Sequence, residues 1–331
     1  MITEKQRLLS VLTGAPIDRP PVICPGGMMN AAVTGLLADI ENNHNTDVDA
    51  MVEASRRIYD KAGFENFGVP FCMTVESDPL GAKINIGDKL TEPRVIEYNS
   101  EPLEAIMSKK VNPEAENRMA VTLKAIERLK NDRVPVIGNI TGHISTAASA
   151  VDPLVILKML RKEPDRVMSF FRYISGYSQE YAAAMIKRGA DVIAISDPTA
   201  TGEILGTKNF EHFAVPLYKE IIDTVHSFGV PVILHICGNA NTILNSLNLT
   251  GADALSFDSV VSMKQAKSVL KRNVMGNVNT QLLHTADKDK IRRAVVHCLE
   301  SGVDILAPAC GLSMATPVDN LREMTDFARK G

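Results

Sequence analysis

The feature that most constrains the fold is a unit that recurs along the chain. A helical stretch closes on glycine, one or two residues follow, and a short apolar run begins. It reads KAGFENFGVPFCMTV, KRGADVIAISDP, SFGVPVILHICG, LTGADALSFDS and ESGVDILAPACG, with Gly63, Gly189, Gly229, Gly251 and Gly302 at the hinge. Glycine just past a helix takes the left-handed conformation that ends it. A near-continuous apolar run after it suits a parallel strand covered on both faces. Eight apolar runs can be counted, at residues 20–24, 69–75, 134–141, 191–197, 232–237, 252–258, 274–279 and 304–310. Amphipathic segments separate most of them, as at 211–227, 287–300 and 318–330. Strands alternating with helices imply a parallel sheet with right-handed crossovers. Eight units predict an α/β fold of the (β/α)8 TIM barrel type, somewhat longer than the usual ~250 residues. The excess falls in an N-terminal helical extension (1–19), a β insertion at 81–99 after the second strand, and two helical pieces within 153–188 that part near Pro164. An open doubly wound sheet is the competing fold, but no G-x-G-x-x-G follows the first run. No linker or low-complexity stretch divides the chain, so residues 1–331 are expected to form one domain.

Composition removes several classes of function. The 36 basic and 39 acidic residues are interspersed, so no basic stripe offers itself to nucleic acid. Tryptophan is absent, which argues against a stacking platform for single strands. The longest apolar runs are of strand length, so no membrane span is expected. The N-terminal segment MITEKQRLLSVL reads as a short amphipathic helix and not as a signal peptide, which places the chain in the cytoplasm as an expectation. Five cysteines in 331 residues are not a disulfide scaffold. In a reducing compartment they would be buried, metal-bound or catalytic.

In a barrel of this kind the active site lies at the C-terminal ends of the strands. Polar residues gather at those ends: Glu76, Asn139, Asp197, His235, Cys237, Asn239, Asp258, Asn277, Asn279 and Cys310. Side chains two apart on a strand share a face. His235 and Cys237 therefore point the same way at the mouth of the fifth strand, and Cys310 sits at the matching level of the eighth. One histidine and two cysteines gathered there make a catalytic zinc site with a position left open. The competing reading is that these thiols simply pack, as free cysteines often do. Cys24, Cys72 and Cys298 are expected in the core.

The other polar ends admit several tasks. Glu76, Asp197 and Asp258 could support the metal ligands, fill the open position or accept a proton. Acids at strand ends also cap helices. Asn239 could cap the following helix or orient the ligands, and Asn139 and Asn277 could line the pocket. Met28, in PGGMMN, could form a soft apolar wall or fill a gap in the core. His143 could line the mouth or sit in a surface loop, and His44 is expected to be solvated or capping.

Taken together, RPPVICPGG, GFENFGVPFCMTVESDPLGAKINIG, GNITGH, LHICGN and PACGLSMATPVDNLREM resemble the uroporphyrinogen decarboxylase superfamily over nearly the whole chain. Within it they are most similar to the branch of methylcobalamin:coenzyme M methyltransferases and related corrinoid-dependent enzymes. The resemblance implies a zinc ion held by His235, Cys237 and Cys310. It implies a thiol acceptor made a thiolate by that metal, which attacks the methyl carbon of a methylcorrinoid and leaves Co(I) behind. A free thiol has a pKa near ~8.5 and is mostly protonated at neutral pH, so a coordinating metal is a chemically sensible device. The resemblance further implies a corrinoid protein as partner, a small methyl acceptor or donor, and a homodimer. The reverse traffic, from a methylated substrate to a Co(I) corrinoid protein, is the alternative direction. A docking module with a closed structural zinc is a reading from another class. Decarboxylation of uroporphyrinogen is disfavoured, because PGGMMN stands where the decarboxylases carry an arginine-rich segment for carboxylates.

Overall fold

The computed structural model describes residues 2–26 and 32–330. The strands are β1 (Phe67–Val69), β2 (Lys83–Asn85), β3 (Arg94–Glu97), β4 (Val136–Thr141), β5 (Val192–Ser196), β6 (Val232–Ile236), β7 (Ala254–Phe257), β8 (Asn273–Val278) and β9 (Ile305–Pro308). Seven of them form one parallel sheet in the order β1-β4-β5-β6-β7-β8-β9, with β2 and β3 paired apart from it as an antiparallel hairpin. This hairpin is the β insertion expected at 81–99. Helices Pro153–Lys162 and Pro164–Arg188 part at Pro164 as expected. All five hinge glycines adopt positive φ, from 73° at Gly229 to 114° at Gly189.

The eighth barrel position is filled without a regular strand. The 20–24 run makes a single parallel bridge, Val22 to Leu306 of β9. Pro20, Pro21 and Pro25 have no N–H to extend a ladder. Side chains complete the seam on the other edge. Asn66 accepts from the Cys24 amide at 2.8 Å and donates to the Cys24 carbonyl at 2.8 Å. Glu65 accepts from the Val22 amide at 2.9 Å, and its own N–H donates to the Val22 carbonyl at 2.8 Å. The result is the eight-membered α/β barrel, with one position occupied by the 20–24 segment, bonded through its backbone to β9 and tied on the other edge largely by the side chains of Asn66 and Glu65.

The second run also differs from expectation. The apolar pattern puts it at 69–75, but the strand is Phe67–Val69. Pro70 stops the ladder, and the chain then turns through residues 71–81. Glu76 therefore sits in a turn beyond the strand end. The helix Glu4–Leu12 opens with a capping box between Thr3 and Gln6, at 3.0 and 3.1 Å.

Two glycines permit close approaches that a side chain would block. A Cβ on Gly138 of β4 would lie 2.6 Å from Met185 Sδ, so its absence lets the helix Pro164–Arg188 lie close on the sheet. A Cβ on Gly142 would lie 2.1 Å from Asp197 Oδ2, so the glycine lets that carboxylate reach the start of the helix His143–Ala150. Tyr181, Tyr218, Phe170, Phe171, Phe210 and Phe257 are fully buried in the surrounding core. Among the described residues, no single helix is long and apolar enough to cross a membrane.

Candidate metal centre

Strand β6 carries His235 as its penultimate residue, and Cys237 follows its end. Cys310 follows β9 by two residues. The donor atoms of His235, Cys237 and Cys310 all lie within 4.8 Å of one another, and the two sulfurs are 2.9 Å apart. Among the described residues, no other group of three or more His, Cys, Asp or Glu side chains converges in this way. His235 is buried, while both cysteines are half-buried and so reachable from the mouth. Cys24, Cys72 and Cys298 are buried, as expected of core thiols.

The electrostatics suit a cation. His235 Nε2 is buried and has no hydrogen-bond partner, while Nδ1 lies 3.0 Å from Ser256 Oγ. An orphaned buried nitrogen beside two thiols is what a metal would satisfy. The Cys310 thiol is pulled down to about 5 by the S–H of Cys237 and then by His235, against the cost of burial. Cys237 is pushed up, chiefly by its hydrogen bond to Cys310 and by burial, with Asp258 adding to the effect. Asp258 Oδ2 accepts from Cys237 Sγ at 3.4 Å and from the Gly238 amide at 3.3 Å. These residues fit a zinc ion by donor type, number and convergence.

The other expected site residues are placed differently. Glu76 is buried, and its two oxygens accept from the Thr141 amide and hydroxyl, both at 2.8 Å. Burial raises its pKa, against the pull of those hydrogen bonds. Asp197 is fully buried and accepts from the Ser145 amide (2.9 Å) and hydroxyl (2.6 Å), the Ile144 amide (3.2 Å) and the Tyr218 hydroxyl (2.8 Å). It caps the helix that follows the preceding strand, a task for which Gly142 makes room. Burial raises its pKa to about 6, despite the donors from Ser145, Tyr218 and Ile144. Asp197→Ala should cost more than about 3 kcal/mol, because several buried donors lose their acceptor. Urea unfolding measures this, and an unchanged midpoint would show the cap to be dispensable.

Asn139 donates to Ser196 Oγ at 3.2 Å. Asn239 accepts from the Asn241 amide at 3.1 Å and so caps a local turn; no hydrogen bond joins it to the ligands. Asn277 donates to the carbonyls of Asp258 and Val261, each at 2.9 Å, and thereby pins the loop after β7. Met28 falls outside the described residues. His143 neither lines the mouth nor sits in a surface loop: it is buried between Phe171 and Tyr218, and burial lowers its pKa to about 4. His44 is likewise buried, against Phe71, and shifted to about 4 for the same reason.

Two residues escaped the sequence reading. Ser256 touches His235, and Arg118 is buried beneath the turn after β1. Arg118 Nη2 lies 2.8 Å from Cys72 Sγ, and its Nη1 lies 3.0 Å from Thr74 Oγ1. A helix supplies Arg118, so inspection of strand ends could not find it. Ser256 had a signal: in ALSFDS it precedes Asp258 by the same interval that separates His235 from Cys237.

The uroporphyrinogen decarboxylase (URO-D) family matches residues 3–331. The chain belongs to the URO-D family. This URO-D chain is 31% identical over 338 residues to the methylcobamide:CoM methyltransferase MtbA of Methanosarcina mazei, covering 99% of this chain and 98% of that one. It is 28% identical to the methylcobamide:CoM methyltransferase MtaA of Methanosarcina barkeri, with 97% and 96% covered. A solved methyltransferase from Methanosarcina mazei superimposes with a TM-score of 0.92 at 28% identity, covering 100% of this chain and 99% of that one. Within the URO-D family, then, the chain sides with the methyltransferase branch along its full length.

Proposed function

We propose that this chain is a corrinoid-dependent methyltransferase that moves a methyl group between a methylcorrinoid and a small thiol of the CoM type. The observation that carries this reading is the convergence of His235, Cys237 and Cys310 at the barrel mouth, in a full-length relative of methylcobamide:CoM methyltransferases. Those three residues would hold a zinc ion. Bound there, the metal supplies a Lewis acid that lowers the pKa of a thiol. His235 offers the lone pair of Nε2 from a buried position. The half-buried cysteines leave a side from which an acceptor enters. Asp258 Oδ2 stands where it receives the proton that Cys237 Sγ gives up. Glu76, Asn139 and Asp197 act indirectly: the first two hold the strand ends at Thr141 and Ser196, and Asp197 fixes a helix. Met28, Asn239 and Asn277 serve the corrinoid side of the site, Asn277 through the loop it pins. No D-x-H-x-x-G segment for a resident corrinoid occurs in the sequence, so the corrinoid arrives on a partner protein or as free cofactor.

The test pairs a metal assay with spectroscopic demethylation of methylcobalamin across CoM, other thiols and tetrahydrofolate. The expected result is about one zinc per chain and methyl transfer that depends on a thiol. Metal-free protein that transfers no methyl group to any acceptor would overturn the reading.

A further inference from the structure

A histidine ligand has two ring nitrogens, and its neighbour decides which one is free. Strands β6 and β7 are parallel and in register, with His235 opposite Ser256. Ser256 is fully buried, His235 is 2% exposed, and Nδ1 lies 3.0 Å from Ser256 Oγ. On the other side of the ring, Nε2 is buried without a partner. A neutral imidazole carries a single N–H. With that proton on Nδ1 and donated to Ser256 Oγ, Nε2 becomes a bare lone pair aimed into the cluster. The opposite tautomer would turn its N–H toward Cys310, putting a proton where the cluster needs a lone pair and leaving Ser256 to donate instead of accept.

The pattern repeats one step along the strands. Cys237 follows His235 by two residues, Asp258 follows Ser256 by two, and Asp258 Oδ2 lies 3.4 Å from Cys237 Sγ. One strand thus presents ligands, and the strand beside it presents an acceptor to each. The spacing of two is the period that keeps side chains on one face.

We propose that Ser256 is a positioning residue that holds His235 in the Nδ1–H tautomer, and so sets the metal affinity of the site. The proposal rests on the metal reading above for its consequence, but not for its first observable.

Two measurements test it. The first is nitrogen-15 NMR of the His235 side chain in metal-free wild-type protein under mildly alkaline conditions. The expected spectrum shows a protonated Nδ1 and an unprotonated Nε2. A predominantly Nε2–H ring would overturn the proposal with no variant needed. The second is zinc affinity by competition with a chromophoric chelator, wild type against Ser256→Ala. Outer partners of metal ligands are worth about 10–100-fold in affinity, so a loss of that size is expected, together with a mixture of tautomers in the variant. Wild-type affinity and an unchanged tautomer in Ser256→Ala would overturn it. Wild-type protein that binds no zinc sinks the metal reading and the affinity claim together, whereas the tautomer result still decides what Ser256 does to His235.

Discussion

Cys310→Ala is expected to abolish zinc binding at the proposed site and to lower methyl transfer on the order of a thousandfold. The loss of an outer partner costs about 10–100-fold, and losing a direct ligand should exceed that. The geometry explains why this cysteine is decisive. His235 and Cys237 come from one strand end, and Cys310 alone brings a donor from β9. Without it, two ligands from a single strand remain, short of what a zinc site uses. Cys298→Ala is the matched control. That thiol is buried on the helix behind β8, 3.7 Å from Asn277 Oδ1, and its removal should leave metal content intact. Metal analysis and methylcobalamin turnover on the two variants decide the matter. A Cys310→Ala protein with full metal and full turnover would falsify the assignment of the site.

The second large effect lies at the opposite pole. Glu65→Ala should destabilise the fold by about 3–5 kcal/mol, the range for removing one partner from a buried charged cluster. Glu65 is 2% exposed. It receives Arg19 through two hydrogen bonds (2.8 and 2.6 Å), Arg7 at 3.2 Å and the Val22 amide at 2.9 Å, with Arg329 at 3.8 Å. Removing it leaves three cations crowded around a void. Burial pushes its pKa up, but hydrogen bonds from Arg19 and Val22 and the charges of Arg19 and Arg329 outweigh that, and the net shift is downward. The sign follows. The stabilisation is present above the unfolded pKa, near ~4.3, and is lost as pH falls from there through the lower folded value. Urea unfolding of wild type and variant, at neutral pH and again in acid, should therefore show a gap that narrows in acid. Equal midpoints at neutral pH would refute the role given to Glu65.

The barrel was legible because hinge glycines and apolar runs are local signals, and the convergence of His235, Cys237 and Cys310 because alternation pairs the first two on one face and the barrel brings the end of β9 to the same mouth. What escaped depended on contacts distant in sequence. The 20–24 run looked like a strand, yet its prolines leave Asn66 and Glu65 to close the seam, and side-chain pairing of that kind leaves no period to read. Glu76 appeared to end a strand, because an apolar run continues past Pro70 after the ladder has stopped. Asp197 was rightly placed at a strand end, but its cap belongs to the helix after the neighbouring strand, which only the register of β4 beside β5 brings within reach. His143 and His44 are polar residues in polar surroundings of sequence, and tertiary packing buried both.

The Glu65 cluster has a consequence for how such a protein can change over generations. It fastens the Glu4–Leu12 helix through Arg7, the first barrel segment through Arg19 and Val22, and the Val318–Lys330 helix through Arg329. All of these joints lie at the end of the barrel away from His235, Cys237 and Cys310. Substitutions around the mouth can therefore accumulate without loosening the hoop that keeps the staves together. Variation at exposed positions of the mouth and variation in thermal robustness become separately heritable traits, and a library restricted to exposed mouth-loop residues, sparing buried Asp197, should keep a nearly constant melting temperature.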